Sequence, residues 1–394
     1  MKSLFVQWGA GNIGRSFIGQ VFARKGYQVI FIDIDKKLIE ALNQHGQYMV
    51  ETVSREGIRQ LPITGISACD AGDQQAVNDA ITQATLMGVS VGKNVWPFIA
   101  KQLAQAIYAR YTVHPGTPLD IILAENIHHA ATFVKDLLTL YLPSDFPFSS
   151  YVGLVETSIG KMVPIQTTNT PLILRAEPYN ELIVDKNGFL NAIPSLDDLH
   201  PVSPISAYVD RKLFIHNLGH ATAAYLGFQK YPEKPLIADV LEDSEVVAQV
   251  RRTMMQSMEV LLHTYPKVWK KKELEDHVDD LIFRFGNRAL GDTVFRVGRD
   301  LLRKLRYDDR LMGIIIQAQQ AGKPWDWIGK SYLAALSFTA RDGNNEFWPA
   351  DQQFIESIKG LSRREIIYLA SGWKDSNLAP ELFEKIADAF ELIE

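Results

Sequence analysis

Cysteine is nearly missing from this chain. Cys69 is the only one in 394 residues, which excludes an intramolecular disulfide and a multi-cysteine zinc site. Long apolar runs are lacking too: no stretch approaches the about 18 residues that read as a membrane span. The chain opens on strand-like MKSLFVQW, not on a basic segment followed by an apolar core, so no secretory signal is expected and the cytoplasm is the expected compartment. Nor is there a surplus of positive charge. Lys and Arg number 41 against 46 Asp and Glu, a formal net charge of −5, and with no evident basic patch nucleic acid is not an expected partner. Internal repeats, low-complexity tracts and Pro/Gly-rich linkers are absent as well. What is present is 46% hydrophobic and 22% charged residues, the balance of a folded globular protein, at a length that suggests two or three domains.

The first half carries a glycine signal. Residues 2–7 form a short apolar strand, followed at once by Gly9-Ala10-Gly11-Asn12-Ile13-Gly14. Ile13, Phe17, Ile18, Val21 and Phe22 then recur at helical spacing until Gly26, and YQVIFID starts a second strand. In a strand, turn, helix, strand context GxGxxG has a mechanical reading. Gly9 makes the tight turn, Gly11 lets the backbone approach a pyrophosphate, and Gly14 lets helix and strand pack closely. The helix N-terminus supplies amide N–H groups and a positive dipole end for the phosphates. A bare GxGxxG also fits a purely structural turn, but Asp33 ends the second strand about 20 residues past the motif, where a ribose-binding carboxylate belongs. It would accept the adenosine ribose hydroxyls and repel a 2′-phosphate, so NAD is expected over NADP, with Lys36 and Lys37 read as solvated.

Further strands are expected at 84–92 and 119–126, with helix-like NVWPFIAKQLAQAIYARY between them. The alternation points to a parallel sheet covered by helices, with ligands beyond the carboxyl ends of the strands. Glu125 and Asn126 lie at such an end. Asn126 reads as the N-cap of the helix IHHAATFVKDLLTLYL, as an amide donor beside a nicotinamide, or as both. From Ser203 the pattern changes to long amphipathic helices, the first capped by Ser203-Pro204 and running to about Gly227. At 3.6 residues per turn Lys212, His216, His220 and Asn217 fall at about 0°, 40°, 80° and 140° around it, on one broad face. Gly219 on the same helix suggests close approach of a ligand or backbone, and the alternative for the face is a polar surface with chance histidines. The stretch 284–311 reads as basic and helical, with Arg296, Arg299 and Arg303 at i, i+3 and i+7 and Lys304 beside them. It fits either a solvated salt-bridge face or an anion site.

These residues carry a resemblance. WGAGNIGRSFIG, AEN, ELIVDKNGF, DRKLFIHNLGHATAAYLG and FRVGRDLLRKL, in this order and spacing, resemble the polyol-specific long-chain dehydrogenase family over nearly the whole chain. The most specific piece is Lys-x4-Asn-x2-His, here Lys212, Asn217 and His220. The resemblance implies an α/β N-terminal Rossmann domain over 1–200 and a mainly α-helical C-terminal domain, 6-phosphogluconate dehydrogenase C-terminal-like, over 201–394. It implies metal-independent hydride transfer in the cleft between them, with Lys212, Asn217, His220 and Asn126 catalytic. It also implies NAD on Gly9, Ala10, Gly11, Asn12, Ile13, Gly14 and Asp33, and a polyol site lined by Arg296 and Lys304. His216 lies outside the signature and reads as packing or as a support of the site.

The side chains suit that chemistry. Oxidising a secondary alcohol requires a base on the hydroxyl while hydride leaves, and a lysine of ordinary pKa about 10.4 can serve if burial brings it toward roughly 7 to 8. Asn126 and Asn217 would donate amide N–H groups to the developing alkoxide, and His220 would orient a substrate hydroxyl. One stretch departs from the family. Ile159-Gly160-Lys161-Met162-Val163-Pro164 stands where Val-Asp-Arg-Ile-Val-Pro is common, so an acid is lost and Lys161 is expected to be freer to meet an anion. The expected reaction interconverts mannitol 1-phosphate and fructose 6-phosphate, or a related polyol phosphate pair. The alternatives are a free polyol or sugar acid (mannitol, arabinitol, a hexuronate) or a non-catalytic NAD-binding protein.

Overall fold

In the computed structural model, residues 3–125, 129–164, 166, 170–374 and 378–393 are described, so Asn126 lies outside the described residues. The chain divides into two compact units, Met1–Val209 and Asp210–Glu394.

The strands of the first unit are β1 (Leu4–Trp8), β2 (Gln28–Asp33), β3 (Gln47–Ser54), β4 (Gly57–Thr64), β5 (Ile66–Asp70), β6 (Leu86–Val89), β7 (Leu119–Leu123), β8 (Val152–Ile159), β9 (Ile173–Ala176), β10 (Leu182–Asp185) and β11 (Leu199–Val202). Its helices are α1 (Gln20–Ala23), entered through a π-helical segment Gly14–Gly19, then α2 (Lys36–His45), α3 (Gln74–Gln83), α4 (Trp96–Val113), α5 (Ala130–Thr139) and α6 (Phe148–Tyr151). Eight strands form one sheet in the order β11-β10-β8-β7-β6-β1-β2-β5. Its neighbours run parallel except for the β8 and β10 pair. Successive side chains of a strand point to opposite faces. Phe5 and Phe31 therefore join Phe17, Val21 and Leu38 in one core layer, while Val6 and Ile32 join Val77, Leu103 and Ile107 in the other. This is the doubly wound Rossmann architecture.

The position of β1 decides where a ligand goes. It lies between β2 and β6, and the strand order reverses there, which opens a crevice beyond the carboxyl ends of β1 and β6. Gly9 and Ser90 follow those two strand ends. Apolar periodicity did not reveal β3, β4 and β9, which form a separate sheet in the order β4-β3-β9, nor β8, β10 and β11, which extend the main one. Strands of four residues such as LIVD are too short to show alternation.

The second unit is mainly helical. A run that begins in α7 (Ile205–Arg211) passes through a second π-helical segment, Lys212–Asn217, into α8 (Leu218–Lys230). It is followed by α9 (Ile237–Val240), α10 (Ser244–Thr264), α11 (Lys271–Phe285), α12 (Val294–Gly298), α13 (Leu301–Lys304), α14 (Met312–Ala321), α15 (Asp326–Leu336), α16 (Pro349–Ser357), α17 (Arg363–Ser371) and α18 (Pro380–Glu391). The basic stretch 284–311 is not the continuous helix its composition suggests. Left-handed residues at Gly291 (φ 61°) and Asp300 (φ 72°) break it into short pieces. Among the described residues no helix is long and apolar enough to cross a membrane.

Candidate active site

The glycine loop is ordered by backbone sterics. Gly9 has φ +91°, and a Cβ there would come within 2.6 Å of the Ser90 carbonyl oxygen. A Cβ on Gly14 would lie 1.9 Å from the carbonyl oxygen of Gly9, so turn and helix close on each other only without side chains. Gly11 is different: a Cβ there would meet nothing within 4 Å. Its bareness leaves the backbone open from outside, as close approach of a pyrophosphate requires. Asp33 ties the loop to β2. Its Oδ2 accepts from the Ala10 amide at 2.6 Å and its Oδ1 from the Ile34 and Asp35 amides at 2.7 and 3.0 Å. Behind the loop, Gln7 donates to Ser90 Oγ at 3.0 Å, and Arg15 donates to the Ala10 carbonyl. Glu125, at the end of β7, gathers the next loop by accepting from the amides of Val91 and Gly92 and from Trp96 Nε1. Burial raises its pKa. The next helix, α5, is entered through His129, a left-handed residue, and begins at Ala130.

In the second unit the π segment rearranges the signature. Five residues apart, Lys212 and Asn217 would stand about 140° apart on a regular α-helix. A π turn closes its hydrogen bond from i+5 to i, seen here where the Leu218 amide reaches the Leu213 carbonyl, and this turns Asn217 back toward the Lys212 side. Lys212 as a residue is partly buried, but its ammonium is enclosed. Burial, with the Arg310 guanidinium as a second cause, lowers its pKa to about 7. His216 is buried, and that burial first, then nearby cations, keeps its imidazole neutral far below the usual range. His220 stacks on Phe285 with ring centroids 4.6 Å apart and planes 6° apart. Its Nε2 lies 3.3 Å from Asp292 Oδ2, and Asp292 Oδ1 pairs with Arg296. The close approach expected at Gly219 is made by a core side chain: a Cβ there would meet Met254 Sδ at 2.4 Å.

The basic residues prove to be of four kinds. Arg296 pairs with Asp292 through one nitrogen, while its buried Nε has no hydrogen-bond partner among the described residues. Lys304 is 4% exposed, and its ammonium donates to the Val297 and Arg299 carbonyls, so it holds the turn between α12 and α13 from inside. Burial draws its pKa well below the ordinary lysine value. Arg303 is neutralised by Asp300 and Asp309. Arg299 lies over the rings of Trp348 and Phe295, at 4.4 and 5.5 Å. The expected single face through Arg296, Arg299 and Arg303 does not form. Asp351 captures the amides of Asp300 and Leu301 and so fixes the bend between the two helices. Lys161, expected to be freed by Gly160, is 6% exposed inside the first unit. It donates to Asn180 Oδ1 at 3.0 Å and lies over the Phe17 ring.

Two family models cover the chain, the mannitol dehydrogenase Rossmann domain over residues 3–198 and the mannitol dehydrogenase C-terminal domain over 204–391. The chain belongs to the mannitol dehydrogenase family. Relatives within this family include mannitol-1-phosphate 5-dehydrogenase of Streptococcus mutans, 30% identical over 97% of this chain and 98% of that one. The enzyme of the same name from Geobacillus stearothermophilus is 35% identical over 79% of this chain and 80% of its own length. Among solved structures, D-sorbitol dehydrogenase in substrate-free form matches with a TM-score of 0.79 at 15% identity, covering all of this chain and 93% of that one. Mannitol 2-dehydrogenase of Pseudomonas fluorescens, solved with NAD and D-mannitol, matches at 0.74 and 15%, covering 100% of this chain and 91% of its own. At such identity the likeness is one of fold.

In this mannitol dehydrogenase family member the motif residues are held by partners that sequence reading passed over. Ser90, Phe285, Asp292, Arg310 and Asp351 touch or perturb expected site residues, and none belongs to a recognisable pattern. Only Asp292 gives a local hint, four residues before Arg296 and just before Thr293, which caps α12 by accepting from the Arg296 amide at 3.1 Å.

Proposed function

We propose that this protein is an NAD-dependent polyol-phosphate dehydrogenase that interconverts D-mannitol 1-phosphate and D-fructose 6-phosphate, with the cytoplasm as its compartment. The observation that carries this reading is Lys212, with a pKa lowered to about 7, in a chain that aligns over 97% of its length with a mannitol-1-phosphate 5-dehydrogenase. A lysine at that value exchanges protons in both directions near neutrality.

The loop Gly9 to Gly14 and the Asp33 carboxylate would hold the dinucleotide, with exposed Ile34 offering an apolar surface beside the ribose. Bound NAD supplies the hydride acceptor. In oxidation the neutral Lys212 amine takes the hydroxyl proton, and in reduction its ammonium returns a proton to the carbonyl oxygen. Asn217, turned to the same side by the π segment, donates an amide N–H to that oxygen, and Asn126 is assigned the same task from its motif. His220 binds a neighbouring hydroxyl. The unpartnered Nε–H of Arg296 is a buried donor that costs about 1–3 kcal/mol while unsatisfied, and a substrate hydroxyl or phosphate oxygen satisfies it. Lys304 contributes by fixing the turn that carries Arg296 and Arg299.

The test is a substrate panel. NADH oxidation is expected to be fastest with fructose 6-phosphate and slower with fructose and fructuronate. A faster rate with either of the latter overturns the phosphate assignment. Tight NADH binding without turnover of any ketose supports a binding protein instead. Equal rates with NADPH would remove the role given to Asp33.

A further inference from the structure

We infer, on the polyol-phosphate reading above, that Arg299 is the residue that selects a phosphorylated substrate, its guanidinium taking the charge that Arg296 cannot. Eight Lys and Arg residues lie between 284 and 311. Six of them face a carboxylate, and Lys304 is spent on two carbonyls. Arg299 is the one left over. Among the described residues its guanidinium meets no carboxylate, and only aromatic rings hold it, Trp348 at 4.4 Å and Phe295 at 5.5 Å. It is half-buried, so the cation is both sheltered and reachable.

The backbone holds that cation in place. The Arg299 amide donates to the Phe295 carbonyl at 2.9 Å, and its carbonyl accepts from the Lys304 ammonium. On one side the Gly298 carbonyl accepts from the Tyr225 hydroxyl at 3.0 Å; on the other Asp351 captures the amides of Asp300 and Leu301 at 2.8 and 2.7 Å. A guanidinium that rests its face on a ring keeps the N–H groups at its edge, and that planar fork matches two oxygens of a phosphate. Arg296, three residues earlier, is close enough for the Arg299 charge to lower its pKa, after burial as the larger cause. The two therefore divide the work. Arg296 is offset by the Asp292 carboxylate and brings a hydrogen-bond donor with little net charge, whereas a phosphate monoester carries about two negative charges at neutral pH. Arg299 supplies the uncompensated charge.

Fructose 6-phosphate and fructose differ at the group assigned to Arg299, so the ratio of their kcat/KM values is the test. In Arg299→Met the kcat/KM for fructose 6-phosphate is expected to fall about tenfold or more, while that for fructose and the NADH dissociation constant stay within about twofold of wild type. A ring clamp with no part in phosphate binding predicts otherwise: both ketoses lose by the same factor, or only the melting temperature falls. Either result overturns the assignment. Should Arg299→Met fail to fold, Arg299→Gln decides by the same ratio, since its flat amide can still lie on Trp348. The wild type separates this failure from that of the wider reading. A wild-type preference for fructose 6-phosphate that survives the loss of Arg299 overturns the role given to Arg299 and leaves the polyol-phosphate reading standing. A wild-type enzyme without that preference sinks both.

Discussion

In both units the motif adjoins a π-helical segment, Gly14–Gly19 after the glycine loop of the first and Lys212–Asn217 in the signature of the second, yet the two motifs offer different things to a ligand. The first presents backbone. Side chains have been removed at Gly9, Gly11 and Gly14, and Asp33 holds what is left. The second presents side chains, each fixed by another: Lys212 by enclosure near Arg310, His220 by Phe285 and Asp292, and Arg296 by Asp292. A backbone site is written in the residues that form it, because only glycine permits the conformation. A side-chain site is written partly in residues far along the chain, and a motif of three positions shows only half of it.

The largest effect that tests this contrast is at Lys212. Lys212→Ala is expected to lower kcat by several orders of magnitude while the NADH dissociation constant stays near wild type, a split read by steady-state kinetics and fluorescence titration. A variant that keeps more than about a tenth of the rate, an effect under about 1.4 kcal/mol, rules Lys212 out as the proton carrier. The pH profile adds a sign. With a pKa of about 7, lowered from the ordinary value, mannitol 1-phosphate oxidation needs the neutral amine and should rise as pH increases through 7. Fructose 6-phosphate reduction needs the ammonium and should fall over the same range. Arg310→Met removes the neighbouring cation and should move both limbs to higher pH.

The glycine loop is tested by two substitutions of the same size. Gly14→Ala places a methyl 1.9 Å from a backbone oxygen, so it should cost about 1–3 kcal/mol of stability and abolish NADH binding. Gly11→Ala meets no protein atom within 4 Å, so the melting temperature should hold while NADH affinity falls about tenfold, near 1.4 kcal/mol. Equal behaviour of the two variants in melting would mean that the loop is not divided between packing and ligand approach.

The same division explains what was legible in the sequence. Parallel strands, glycine turn, Asp33 and the helical second half followed from periodicity and glycine placement. The Lys212, Asn217 and His220 set came from the family resemblance, while the α-helical angles assigned to it were wrong for Asn217, because nothing in KLFIHN announces an i+5 bond. The four-residue strands β9, β10 and β11 escaped for want of length. At 296–304 helical spacing failed for a different reason: Asp300 adopts φ 72° because Asp351, some 50 positions later, captures its amide. Long-range capture of this kind leaves no local trace.

Arg296 stands third in expected effect. Losing a donor to a charged group costs about 1.5–3 kcal/mol, so Arg296→Ala should raise the KM for fructose 6-phosphate tenfold or more, leave that for NADH unchanged and shrink the preference over fructose. Lys304→Met should instead act through the turn, lowering stability along with activity, since two carbonyls lose their donor. If Lys304→Met leaves the melting temperature untouched and alters only the KM for sugar phosphate, the ammonium meets substrate directly and its enclosure by Val297 and Arg299 is incidental.

The smallest effect is expected at His216, which separates side chains that act from side chains that fill. It lies one turn from both Lys212 and His220, close enough to look like a proton relay. Its ring, however, packs against Phe285 at 5.4 Å and is buried, with its pKa pressed well below the usual range. A relay would have to gain a proton in each turnover, and burial beside Arg284 and Lys212 opposes that charge. His216→Phe keeps a flat ring of similar size, so kcat, KM and the pH profile should stay within about threefold of wild type and stability within about 1.5 kcal/mol. A loss of a hundredfold in kcat, with the variant still folded and NADH still bound, would make His216 part of the proton path and would extend the signature by one residue.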